Sequence, residues 1–171
     1  MMKLKSKILM GMSVVAVAGA VAATGLTAAS ASPAGAPGSS GFQHFQLMTT
    51  SATSSTASII ATGSVFTAGG VDHTGNRVDT AVFPDGTFKI THSPGTGTPR
   101  FNPRTCLGVI ALNGTYQLSH GTGAYAGISG HGIYRVNIIL VAGRNSAGKC
   151  STKLPPVAFQ QIIKAQGPVN L

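Results

Sequence analysis

From Phe42 onward apolar and polar residues alternate with a period of two, in short runs separated by turn residues. That pattern predicts β-strands and no helix. Phe42–Thr50 places Phe45 and Leu47 on one side. In Ala57–Ala68 one face carries Ala57, Ile59, Ala61, Gly63 and Val65, before Gly69-Gly70 and the polar stretch Asp72–Asn76 end the run. Val78–Phe83 and Thr87–His92 flank Pro84-Asp85-Gly86, a hairpin signal in which Pro presets φ, Asp bonds its own backbone and Gly accepts positive φ. Phe88, Ile90 and His92 share a face. Ser93–Thr105, with three prolines and two glycines, reads as a long loop. Cys106–Leu112 and Thr115–His120 then flank Asn113-Gly114, a strong two-residue type I′ turn signal. Tyr116, Leu118 and His120 point one way.

Residues 120–135 hold five glycines, Gly121, Gly123, Gly127, Gly130 and Gly132, and lead into Ile128–Ala142. There Ile128, Gly130, Gly132, Tyr134, Val136, Ile138, Leu140 and Ala142 share one face. Such a run would extend about 50 Å if straight, so it must bend or coil, and the glycines make a corner in the wall. Gly143–Leu154 reads as a loop and Val157–Gln166 as the last strand, with Val157, Phe159, Gln161, Ile163 and Ala165 facing in. These are eight strands joined mostly by short turns. Eight antiparallel strands with one apolar face each close into an all-β barrel without exposed edges; a two-sheet sandwich is the alternative.

Residues 1–31 stand outside this pattern. Lys3, Lys5 and Lys7, the uncharged run Ile8–Ala23 and Ala29-Ser30-Ala31 together form a signal peptide with a small-x-small cleavage site. The run falls short of the roughly 20 residues of a membrane span. Export is the expectation, with 32–41 a flexible Pro/Gly/Ser leader and 42–171 a single domain. In an exported chain Cys106 and Cys150 are expected to form one disulfide. Beyond the three leader lysines, nine Lys and Arg stand against Asp72, Asp79 and Asp85 with no glutamate, an excess of six positive charges. That balance favours anionic partners. The charges form no run and have no aromatic interleaving, so nucleic acid is not indicated.

The segment Gly121-Thr-Gly-Ala-Tyr-Ala-Gly-Ile-Ser-Gly-His-Gly-Ile-Tyr134, preceded by Gly114-Thr-Tyr-Gln-Leu and followed by a long hydrophobic strand, resembles the allene oxide cyclase-like barrel group. Dirigent proteins share that barrel and a similar glycine-aromatic turn. The likeness to small exported bacterial members covers Phe42 to the C-terminus, and its specific part is residues 114–134. It implies an eight-stranded antiparallel barrel with an apolar lumen and, as in the plant relatives, a homo-oligomer. The plant cyclase steers a reactive fatty-acid epoxide with the help of a lumenal glutamate; this chain has no glutamate. Dirigent aspartates have no assignable counterpart among Asp72, Asp79 and Asp85, so no catalytic residue transfers.

Other chemistries find little footing. Gly121-x-Gly123 with Gly127 is followed by a strand, whereas a dinucleotide loop needs a helix whose N-terminus meets the phosphate. Ser129 lacks the second glycine of a Gly-x-Ser-x-Gly elbow. The five histidines show no HxH or HxxxH spacing, so no metal or other cofactor is expected. The candidate ligand site is therefore the lumen, through Phe88, Tyr116, His120, Tyr134 and Gln161, with a small apolar or amphipathic molecule as partner. The disulfide would also gather Arg100 and Arg104 against Arg144, Lys149 and Lys153, a basic end suited to anionic cell-wall polymer or a lipid headgroup. Three functions follow: a lumenal binder without strong catalysis, a confinement-type isomerase or cyclase, or a structural or surface-interaction protein with a filled barrel.

Overall fold

Residues 38–171, which this computed structural model describes, form nine strands: β1 (Ser40–Thr49), β2 (Thr56–Gly63), β3 (Ala68–His73), β4 (Val78–Phe83), β5 (Gly86–His92), β6 (Thr96–Asn102), β7 (Leu107–Ser119), β8 (Ser129–Val141) and β9 (Ala158–Asn170). The expected signal peptide and residues 32–37 of the leader lie outside the described residues, while Ser40 and Gly41 already belong to β1. The hydrogen-bonded order is β5-β4-β3-β2-β1-β9-β8-β7, all antiparallel. Lys89–His92 of β5 then pair with Ser119–Tyr116 of β7 and close eight strands into a barrel. That closure excludes the sandwich.

The eight barrel strands are not the eight expected. Asn113-Gly114 makes no turn: β7 runs straight through it, with Asn113 opposite Arg135 and Gly114 opposite Tyr134 on β8. The Tyr134 ring lies on Gly114, where any Cβ would enter the ring. At Gly132 a Cβ would strike the Gln166 carbonyl of β9 and come within 2.8 Å of the Tyr116 ring, so the glycine allows close approach of both the neighbouring backbone and that ring. The lost strand is replaced by β3, at residues read as a terminator. Between β2 and β3 the chain crosses the end of the barrel and buries Val65 and Phe66. Buried Gln43 holds this crossing, its Nε2 donating to the Phe66 carbonyl at 2.6 Å and its Oε1 accepting from Val65 N–H at 3.4 Å.

The expected loop Ser93–Thr105 contains β6, which pairs with Leu107–Asn113. β5 and β6 thus follow one another along the same edge of β7. β6 is fully exposed and has no second neighbour, so Pro99 can sit in it without disrupting a ladder.

The glycine-rich segment does more than turn the chain between β7 and β8. It turns back beneath the barrel at Gly123 (φ 58°) and delivers Tyr125, on a short 3₁₀ turn, into the lumen. Thr122 ties the segment to β5: its Oγ1 accepts from Thr87 N–H at 3.0 Å and its N–H donates to the Thr87 carbonyl at 2.8 Å. Tyr125 packs with Phe66, Phe83 and Phe88 at ring separations of 4.9, 5.6 and 5.5 Å. This aromatic floor seals one end of the barrel. Burying each ring stabilises the fold by roughly 2–3 kcal/mol.

At the other end β6 and the adjoining parts of β7, β8 and β9 extend past Thr49, where β1 stops opposite Gln161. Cys106 and Cys150 form a disulfide across the tip of this tongue, with Cα atoms 5.3 Å apart. Val157, expected to face in, precedes β9 and is 73% exposed there. By loop-closure entropy the bridge contributes about 4 kcal/mol. Urea unfolding of the double variant Cys106→Ser, Cys150→Ser is expected to show a loss of that size; an unchanged midpoint would contradict it.

Candidate functional site

Above the aromatic floor the inward positions change from large rings to aliphatic side chains, and the lumen opens into a cavity of about 400 Å³. Its wall is built from alternate residues of the strands, among them Leu47, Ile90, Leu112, Val136, Ile138 and Ile163. It reaches the surface beside Asn76, Arg77 and Pro94, all exposed. The volume lies within the range of small-molecule sites.

Polar groups are few. Tyr116 contributes a hydroxyl that is buried and makes no hydrogen bond. Burial pushes its phenol up to about 12, so it stays protonated and able to donate. The Tyr134 hydroxyl, by contrast, donates to the Ser93 carbonyl at 2.8 Å. That bond holds the Ser93–Gly95 crossing over the cavity edge, helped by Thr115 N–H donating to Ser93 Oγ at 2.9 Å. His92 stands edge-on to the Tyr134 ring, with centroids 6.1 Å apart. Its Nε2 lies 3.6 Å from Asp79 Oδ2, and its Nδ1 lies 3.2 Å from the Ser93 carbonyl. Asp79 Oδ1 accepts from Gly75 N–H at 2.7 Å, which orients the carboxylate toward the imidazole. Gln161 reaches the wall from β9.

Asp72 lies on β3, in register between Ala57 of β2 and Ala81 of β4. It is fully buried and neither carboxyl oxygen has a hydrogen-bond partner. Loss of solvation, reinforced by the negative charge of Asp79, raises its pKa to about 7.

The cavity thus unites Tyr116, Tyr134 and Gln161 of the residues read from sequence. It does not include Phe88 or His120. Phe88 is fully buried in the aromatic floor, because that end of the barrel is packed solid. His120 is exposed at φ 54°, one residue beyond the end of β7, where the alternation no longer determines direction; its Nδ1 meets Ser119 Oγ at 2.8 Å. Not foreseen are Asp79, which lines the cavity, and the burial of Asp72, which lies outside the lining. Asp79 shares the inward face of β4 with Ala81 and Phe83, a signal present in the alternation. Asp72 was hidden by its setting in a stretch of turn-like composition. The five basic residues Arg100, Arg104, Arg144, Lys149 and Lys153 are all exposed around the tongue tip. Arg144 bridges the two loops there, donating to the carbonyls of Arg104 at 2.8 Å and Gly148 at 2.6 Å. Compared with known proteins, the chain has no significant match to a family model, a curated protein or a solved structure.

A buried carboxyl with a raised pKa sets a pH dependence. The folded protein holds a proton on Asp72 up to about pH 7, whereas the unfolded chain releases it near 3.8. Stability is therefore expected to fall as pH rises from about 4 to about 7 and to level off above that. Asp72→Asn should remove this slope and stabilise the protein at about pH 8 by a few kcal/mol. Urea midpoints measured across that range check it, and a variant that keeps the wild-type slope would contradict the assignment.

Proposed function

We propose that this protein is an exported binder of a small amphipathic molecule, held with its apolar body in the barrel lumen and an oxygen acceptor against Tyr116. The carrying observation is the open cavity with an unpartnered hydroxyl in its wall. Leaving such a group unsatisfied costs about 1–3 kcal/mol, and a ligand oxygen would relieve that cost. The disulfide is consistent with an oxidising compartment and so supports export. The glycine-rich segment supports kinship with the allene oxide cyclase-like and dirigent barrels, whose lumens handle apolar compounds. A filled, purely structural barrel gains no support from a lumen with this much space.

A second reading is an isomerase or cyclase that works by confinement with acid–base help. It draws on the His92–Asp79 contact at the cavity edge, where a histidine oriented by a carboxylate is suited to moving a proton on a bound substrate.

Fluorescence titration with dansyl-labelled undecanoic acid separates these readings. The wild-type protein is expected to bind the probe, and Ala165→Phe, which fills the cavity, to weaken binding by about tenfold or more with the barrel intact by circular dichroism. Tyr116→Phe should stabilise the unliganded protein by about 1 kcal/mol while weakening oxygenated ligands more than hydrocarbons. Absence of probe binding, or binding unaffected by Ala165→Phe, overturns the proposal. Turnover of an unsaturated fatty-acid epoxide, lost in His92→Gln while probe binding persists, would establish the enzyme instead.

A further inference from the structure

The tongue beyond the barrel mouth has a composition that neither the cavity nor the fold requires. Residues 96–171 contain no Asp or Glu. Five exposed cations surround the tip, while Asp72, Asp79 and Asp85 all lie on other strands or turns. The terminal carboxylate of Leu171 is at the opposite end of β9. Among these cations stand exposed apolar side chains: Phe101 at 45%, Leu154 at 43% and Val157 at 73%. Two of them adjoin a cation in sequence, as Arg100-Phe101 and Lys153-Leu154.

The apolar surface is also continuous with the cavity. Ile110, Ile138 and Gln161 form one rung of inward positions across β7, β8 and β9, and Gly108, Leu140 and Phe159 form the next rung outward. Phe101 pairs with Gly108 at the edge of that rung. Ile138 and Gln161 line the cavity itself. A surface combining cations with exposed large apolar residues matches an anionic bilayer: headgroup phosphates meet the charges and the side chains enter the acyl boundary. A soluble polyanion would engage the charges and leave the apolar residues without a role.

From this we infer that the tongue tip docks on anionic lipid bilayers and presents the cavity mouth to the membrane surface. The disulfide and the Arg144 bridge keep the two cationic loops together, so the docking surface is preformed. Docking does not depend on what the cavity binds, and the two readings can fail separately.

Vesicle flotation tests it. The wild-type protein should float with vesicles containing phosphatidylglycerol and remain behind with pure phosphatidylcholine. Exchanging Arg100, Arg104, Lys149 and Lys153 for Gln should reduce partitioning by roughly fivefold for each charge removed. Phe101→Ser, Leu154→Ser and Val157→Ser together should weaken vesicle binding at raised salt while leaving retention on a lipid-free polyanion such as dextran sulfate unchanged. Circular dichroism and intact disulfide content confirm that the variants are folded. Equal flotation with both vesicle types, apolar variants that float like wild type, or tighter retention on the polyanion than on vesicles would each overturn the inference.

Discussion

A closed eight-stranded barrel has an interior that side chains nearly fill, and in this protein they fill it unevenly. Phe45, Phe66, Phe83, Phe88 and Tyr125 interlock at one end, with ring centroids between 4.9 and 6.3 Å apart along the contacts that join them. Once that end is solid, closure no longer requires large residues at the other, and aliphatic side chains suffice to line the wall. The cavity exists because the floor carries the packing. Two further rings stand in the wall: Tyr134 fits because Gly114 carries no Cβ, and Tyr116 lies close to Gly132, where the Gln166 backbone also approaches. The chain crossings that seal the floor, held by Gln43 and by Thr122, are therefore as important to the cavity as its own lining.

Charge is distributed against the overall balance. The surface is basic, yet two of the three aspartates face inward from adjacent strands, β3 and β4. Asp79 is stabilised by the Gly75 amide and stands beside His92. Asp72 has no such partners and is favoured in its neutral form. The cations, in contrast, concentrate at the tongue, where β6 lengthens one side of the barrel beyond its rim.

Much of the cavity wall was legible in the alternation because each strand face is a local property with a period of two. Tyr116, Tyr134, Gln161 and Asp79 all line the cavity on positions that the alternation turns inward. Local signals failed where long-range contacts outweighed them. Asn113-Gly114 is a strong turn signal, but a straight strand there gains pairing to both β6 and β8 and a seat for the Tyr134 ring. Prolines and glycines disguised β6, since an edge strand tolerates residues that a central strand rejects. His120 was misplaced because the rule of alternation ends with the strand.

By itself the sequence determined the all-β class, the inward faces of most strands and the two cysteines available to bridge. These depend on neighbours two apart and on residue chemistry. Only the tertiary structure decided which strands close the barrel, which end is sealed and which is hollow, and that Asp72 is buried without a partner. Those outcomes depend on register between segments far apart in the chain, where the gain from pairing and ring packing is decided by the whole barrel and not by any one stretch.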